Sequence, residues 1–420
     1  MYDYAYNSIT LSKMFRRGDF RGIPFADWDD FRKEKVKAAF QAVLTLFNGA
    51  NPIEAFHLKK RTAYKIRNFE DDLVIRKLTA NLKQAAPPSS KSRSFLVSSL
   101  LKFLEEGVPY RVYRLDIKNF YESLPTPQIL GAVTGLTRLS PLSKKHIEYL
   151  LAQFNAMGGQ GAPRGMAISA ALSDLLMSPF DLETFSESSV YFYGRYVDDI
   201  IIITNGLEDV GQFISKLKLN LPTGLKLNSK KTCVMTIADR VAPVNPPNVP
   251  IYKCGFDYLG YQFSVFEPVR PNKSAKTIFR LVRTEIAPSK VKKIKLRIVR
   301  SFIDFAKTKN VALLVERIRY LTSNFSITDG KTGRRKLAGI YNSYPLLSGA
   351  SESLEELDDF LRNAVLSNRG KVFSRSAPFL GSGCKRKLLS QSFRYGHEKK
   401  RYAYFTSAKI KQIQECWINE

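Results

Sequence analysis

Two adjacent acids, Asp198 and Asp199, lie between Tyr191-Phe192-Tyr193-Gly194-Arg195-Tyr196-Val197 and Ile200-Ile201-Ile202-Ile203-Thr204. Aromatic residues on one side and a β-branched apolar run on the other predict two strands, with the acids at the hairpin tip. Neighbouring carboxylates repel each other, and keeping both ionised beside buried strands is costly unless a hard divalent cation neutralises them. A metal perch is one reading of the pair; an ordinary Asp-Asp turn is the other. A third acid, Asp116, ends the alternating stretch Val112-Tyr113-Arg114-Leu115, which predicts a strand running into a turn that carries Ile117, Phe120 and Tyr121. Asp116 is far from Asp198 in sequence, so only the fold could make them neighbours.

The chain has the means to build such a fold. It holds 420 residues, 44% hydrophobic and 12% aromatic, which excludes a wholly disordered protein. Lys and Arg number 66 against 38 Asp and Glu, a formal charge of +28 that points to a polyanionic partner. An anionic membrane surface is the rival. No apolar run approaches the about 18 residues of a membrane span, and Met1-Tyr2-Asp3-Tyr4 lacks the regions of a signal peptide, so a cytoplasmic protein is expected. Cys233, Cys254, Cys384 and Cys416 are too scattered for a disulfide framework or zinc site and are read as free thiols, mostly in the core.

In chain order, an aromatic and basic start (Phe15, Arg16, Arg17, Phe20, Arg21) leads to a helix predicted over 26–47, and residues 70–84 predict another. Between them, His57-Leu58-Lys59-Lys60-Arg61 and Tyr64-Lys65-Ile66-Arg67 read as a basic strand facing phosphate, or as a merely solvated face. Pro87 to Ser92 is a loop; a helix opening at Arg93 ends near Gly107. Helices follow over 127–156, over 166–177 after the flexible loop Gly158 to Gly165, and over 207–221; residues 242–250 form a rigid proline-rich loop. Beyond Pro271 the cations Lys273, Lys276, Arg280, Arg283, Lys290, Lys292, Lys293, Lys295, Arg297 and Arg300 arrive with Glu285 as the only acid among them. Helical spacing over 289–321 gives basic faces able to track a nucleic-acid backbone, and 353–366 predicts one more helix. The last fifty residues interleave cations with Tyr402, Tyr404, Phe405 and other aromatics; these either stack on unpaired bases or pack on the preceding helices.

Tyr196-Val197-Asp198-Asp199 followed by four isoleucines resembles the catalytic signature of reverse transcriptases. Asp116 with Tyr121 five residues on resembles their first palm motif. Gly158 to Met177 resembles the second, with Arg164-Gly165 where the family has Gln-Gly, Ser169-Ala170 where it has Ser-Pro, and Asp174 where it has Asn. Leu227-Asn228-Ser229-Lys230-Lys231-Thr232 resembles the fourth motif and Phe256-Asp257-Tyr258-Leu259-Gly260-Tyr261 the fifth. The resemblance, over roughly residues 55 to 345, implies an α+β right-hand polymerase fold with fingers and palm, a helical thumb and a basic C-terminal extension. The implied divisions are 1–107 (N-terminal region and fingers), 108–126 (palm), 127–158 (fingers helices), 159–270 (palm), 271–366 (thumb) and 367–420 (extension).

On the same resemblance, Asp116, Ile117, Asp198 and Asp199 hold two Mg²⁺ ions, with Mn²⁺ able to substitute, and Asp116, Asp198, Asp199 and Lys231 are catalytic. Lys231 would stand near the leaving pyrophosphate; a surface lysine in a turn is the alternative. Tyr121 would stack under the sugar and exclude a 2′-hydroxyl, unless it is simply a core tyrosine. Ile117, Phe120, Arg93, Arg164 and Gly165 would meet the nucleotide, while Lys290, Lys292, Lys293, Lys295, Arg297, Tyr196, Tyr402 and Tyr404 would meet nucleic acid. The implied activity is RNA-directed synthesis of cDNA from dNTPs on a structured non-coding RNA template. Ser289 to Ile298, Glu316 to Phe325 and Gly339 to Asn342 resemble the bacterial defence-associated group, its type 2 included, which implies an antiviral role. A retron-like or group II intron-like enzyme, or a catalytically inactive RNA-binding protein with a polymerase-like palm, are the alternatives.

Overall fold

The computed structural model describes residues 2–58, 61–87, 91–238, 250–267, 279–328, 335–367 and 370–418. Lys59, Lys60, Pro88 to Ser90, the proline-rich 242–249, Pro271, Lys273 and Lys276 lie outside the described residues, as does the side chain of Arg61. The chain folds as two units, one of Met1–Phe103 with Gly107–Val241, the other of Leu104–Glu106 with Ala242–Glu420.

In the first unit, the helix Trp28–Leu44 carries Asp29 and Asp30 in its first turn, where they complement the positive end of the helix dipole. The basic stretch expected as a strand is a hairpin of β1 (Ile53–Leu58) and β2 (Arg61–Ile66). Helices Phe69–Ala85 and Arg93–Leu104 follow. The central sheet is antiparallel and is built from β3 (Tyr110–Asp116), β4 (Val190–Tyr196), β5 (Asp199–Thr204) and β6 (Cys233–Ile237), in the order β4-β5-β3-β6. Interior position explains the composition of β5: Ile200, Ile201, Ile202 and Ile203 are all buried, so no solvent face demands polar alternation.

Four helices complete this unit: Thr126–Thr134, Pro141–Ala156, Ala167–Phe185 and Val210–Asn220. Ser140 and Asp209 cap the second and fourth by accepting the amides of Ser143 and Gln212. Leu115, Ile117, Ile200 and Ile202 of the sheet share one core with Leu172, Leu175, Phe213 and Leu217 of the helices. The third helix runs past the expected end at Met177 and through Pro179. Pro179 cannot donate to the carbonyl of Leu175, but the Ser178 hydroxyl does so at 2.8 Å, which offsets the lost bond.

The second unit opens with β7 (Ile251–Tyr258), β8 (Tyr261–Glu267) and β9 (Leu281–Ile286), antiparallel in that order. Leu259 and Gly260 turn the first hairpin with φ of 47° and 83°, the paired left-handed conformation of a type I′ turn, whose twist matches the strands. Helices Pro288–Thr308 and Val311–Thr322, a hairpin of β10 (Asn324–Thr328) and β11 (Arg335–Gly339), and helix Glu352–Leu366 follow. The fifth-motif hairpin, expected in the palm division 159–270, packs with the second unit. Within residues 370–418, Leu388, Phe393, Phe405, Ile413 and Trp417 lie in one core with Phe302, Phe305, Leu314 and Leu357, because the helices alone leave an apolar face that this segment covers. Cys254 and Cys384 are buried, Cys416 is half-buried and Cys233 is exposed.

Candidate active site

Strand register brings the three acids together. Asp116 closes β3 directly opposite Asp199, the first residue of β5. The pairing continues beyond both strands, with the Ile117 amide donating to the Asp198 carbonyl at 3.1 Å. Asp198 therefore occupies a two-residue turn with Val197, and only Asp199 belongs to the strand. Val197 holds φ at 61°, a left-handed value that β-branched residues rarely adopt, so the tip carries backbone strain which the buried strands on either side must hold in place.

The other flank of β3 supplies the partners of Asp116. Ile117 bridges Leu227, and Asn228 donates its amide to the Asp116 carbonyl at 2.7 Å. Asn228 Nδ2 also donates to Asp116 Oδ2 at 3.0 Å, while Lys231 Nζ donates to Oδ1 at 2.7 Å. Asp116 is 5% exposed, so a carboxylate in this position needs such donors. Asn228 was not among the residues expected to serve the site, although its place in the Leu-Asn-x-x-Lys-Thr pattern offered the signal. Burial, then the charges of Asp198 and Asp116, push the Asp199 carboxyl above its ordinary range, against the opposing pull of Arg114 and Lys231.

Every donor offered by the side chains of Asp116, Asp198 and Asp199 is a carboxylate oxygen, the ligand type of a hard divalent cation. Among the described residues no three His, Cys, Asp or Glu side chains already stand at metal-holding separations, and Lys231 occupies Asp116 instead. The acids fit a cation in chemistry and have not closed into a cage. Ile117 could contribute only its backbone carbonyl, since its hydrocarbon side chain has no donor atom and is buried; Phe120 is buried as well.

Tyr121 lies in the short turn Phe120–Ser123 after β3, half-buried. Its hydroxyl is pushed up by burial and by the charges of Asp174 and Asp198, which places it within the field of the acids. Arg164 lies over its ring at 5.5 Å and forms a forked pair with Glu122, 3.0 Å on each arm. Gly165 has φ of 99°, and the carbonyl of Arg164 accepts the amide of Tyr64 in β2 at 2.8 Å. Arg93 opens its helix half-buried, and Tyr196 ends β4 exposed, opposite Asp199.

Residues 58–263 of this sequence match the family model for reverse transcriptase (RNA-dependent DNA polymerase). The chain carries a reverse transcriptase domain. That match, just under half of the chain, contains all three acids, Tyr121 and Lys231. The domain is that of an RNA-directed DNA polymerase, a nucleotidyltransferase, and the fold is α+β, of the right-hand polymerase kind. Reverse transcriptases use divalent metal ions. No curated protein matches the sequence. Solved structures similar to the chain include telomerase from Candida tropicalis truncated from its C-terminal domain, at 16% identity and TM-score 0.33, covering 51% of this chain and 53% of that one. Telomerase from the same yeast in complex with the TWJ fragment of telomeric RNA shows 13% identity and TM-score 0.37, covering 94% and 68%. Telomerase from Candida albicans in the corresponding complex shows 12% identity and TM-score 0.28, covering 93% and 57%. The chain thus spans about half to two thirds of the length of these structures.

Within the reverse transcriptase domain, a buried ion cluster beside the hairpin that carries Asp198 and Asp199 had not been expected. Arg195, 5% exposed in β4, donates to both oxygens of Asp181 (2.8 and 2.6 Å) and to Asp174 at 3.3 Å. The Tyr193 hydroxyl also donates to Asp181, at 2.5 Å. Asp174, aligned with the family's Asn, is thus engaged by the hairpin. Asp174 and Asp181 sit seven residues apart on one helix face, the signal that could have been read.

In the second unit the basic helix Pro288–Thr308 presents Lys290, Lys292 and Lys293 exposed. Lys295 pairs with Glu356 at 2.6 Å and lies over Phe360. Arg297 is half-buried over Trp417. Tyr402 and Tyr404 are exposed, at 53% and 71%, whereas Phe405 is 6% exposed and packs edge-on to Tyr320 and Phe325. Among the described residues no helix is long and apolar enough to cross a membrane.

Proposed function

We propose that this chain is an RNA-directed DNA polymerase that copies a structured non-coding RNA into cDNA from dNTPs, and that it acts in bacterial antiviral defence. The single observation that carries the catalytic reading is the register that sets Asp116 opposite Asp199, with the Ile117 amide on the Asp198 carbonyl. Asp116 and Asp198 would hold two Mg²⁺ ions, with Asp199 in support. Bound there, the ions would neutralise the triphosphate and make the primer 3′-hydroxyl a better nucleophile. Lys231, half exposed and resting on Asp116, would exchange that carboxylate for a phosphate oxygen and deliver charge or a proton at Nζ to the leaving pyrophosphate. Tyr121 would bear on the sugar and disfavour ribonucleotides. The defence role is supported by the resemblance of residues 289–298, 316–325 and 339–342 to the defence-associated group.

The deciding experiment is primer extension on an RNA template by the double variant Asp198→Ala/Asp199→Ala. Synthesis should fall below detection while RNA binding, read by filter retention, stays near wild type. Continued synthesis by the variant refutes the catalytic reading. Phage plating on cells that carry wild type or this variant, with the flanking genes retained, tests the defence role; equal plating of both denies it.

A further inference from the structure

The loop Gly158 to Gly165 is joined to Tyr121 in three independent ways. The Ala162 amide donates to the Tyr121 carbonyl at 2.9 Å. Gly161, at φ of 75°, passes so close that an added Cβ would stand 2.1 Å from that same carbonyl oxygen, so backbone touches backbone there. Arg164 then reaches back with its guanidinium over the Tyr121 ring and forks onto Glu122, the next residue in the turn. A planar guanidinium held by two parallel hydrogen bonds has little freedom to rotate, so it fixes the ring it covers. The carbonyl of Arg164 is itself tied to Tyr64 in β2, which links the hairpin of β1 and β2 to the same turn.

We infer that Arg164, locked by Glu122, is a positioning residue that sets the Tyr121 ring and thereby the discrimination between deoxyribo- and ribonucleotides. The inference rests on the reading of Tyr121 as the sugar-facing residue. A Gln in place of Arg164 could neither fork onto a carboxylate nor offer a cation to the ring, so this chain steers its gate by a pair that the usual Gln-Gly pattern does not provide.

The test is single-nucleotide incorporation on a primed RNA template, comparing kcat/KM for a dNTP and its matching rNTP in wild type, Tyr121→Ala, Arg164→Ala, Arg164→Lys, Glu122→Ala and the double variant Glu122→Ala/Arg164→Ala. Loss of a cation from an aromatic face predicts a fall of about two- to fivefold in the dNTP preference for Arg164→Ala, and Glu122→Ala, which frees that cation from its fork, should fall by up to the same factor. The change should lie chiefly in the KM for the rNTP. The double variant should fall no further than either single one, because the two residues act as a unit. Arg164→Lys should not restore the preference, since an ammonium cannot make the forked pair. A general loss of stability would slow both nucleotides together and leave the ratio in place. If Tyr121→Ala lowers the ratio while the Arg164 and Glu122 variants leave it at the wild-type value, the inference is overturned and the gate reading stands. If Tyr121→Ala itself leaves the ratio unmoved, the gate reading falls and the inference falls with it. Glu122→Gln, which keeps size and removes the charge, serves if Arg164→Ala does not fold, and its unchanged ratio would likewise overturn the inference.

Discussion

At the scale of single residues, the acids are held by partners drawn from distant parts of the chain. Arg195 is the case with the largest stake, because it is buried and answers two carboxylates from the helix behind the hairpin. Replacing it with Ala leaves Asp181 and Asp174 without their cation in a poorly solvated place, which should cost about 3–5 kcal/mol of stability. The double variant Arg195→Ala/Asp181→Ala should recover part of that loss, since it also removes one of the stranded charges. Denaturant unfolding of the two variants measures both effects; a single variant as stable as wild type would show that the cluster holds nothing in place. Asn228 and Lys231 act in a different way, by satisfying one acid directly, and the exposed position of Lys231 leaves it able to change partners.

At the scale of elements, hydrophobic burial separates residues that look alike in sequence. Tyr404 and Phe405 are neighbours in a basic, aromatic tail, but the parallel bridge between Asn324 and Tyr402 fixes this segment against β10 and alternates its side chains in and out. Phe405 falls on the inner side. Phe405→Ala should cost about 3–5 kcal/mol of stability, as large-to-small changes in a packed core do. Tyr404→Ala should leave the melting temperature near wild type and, if the ring stacks on an unpaired base, weaken RNA binding by about 1–3 kcal/mol. Calorimetry together with RNA titration on the pair checks this division. Unchanged RNA affinity in Tyr404→Ala would remove the base-stacking role from this tail.

At the scale of the whole molecule, the +28 charge calls for a polyanion, and the fold decides which cations can serve it. Replacing Lys290 and Lys292 with Gln should weaken RNA binding and reduce the slope of log affinity against log salt by about 1 for each phosphate that is no longer neutralised. Lys295→Gln should change that slope less, because Glu356 already holds the ammonium. A salt series of RNA titrations reads both. Equal effects of Lys295 and the other two would mean that the Lys295–Glu356 ion pair opens on binding, and no effect in either set would move the RNA interface elsewhere.

Local chemistry made much of this legible from sequence. The isoleucine run at Ile200 to Ile203 could belong only to a buried strand, the acids beside it to a tip, and the order of motifs from Asp116 to Lys231 to a polymerase palm. Helix positions followed from apolar spacing, and the one that was cut short, at Met177, failed because the hydroxyl repair by Ser178 is not a periodic signal. What sequence could not decide was pairing across distance. That Asp116 faces Asp199, that Arg195 answers Asp174 and Asp181, that Glu356 answers Lys295, and that side chains from residues 370–418 share the core of the preceding helices all depend on strand register and on which apolar faces meet. Burial and register are properties of elements already brought together, and spacing along one chain determines only what each element has to offer.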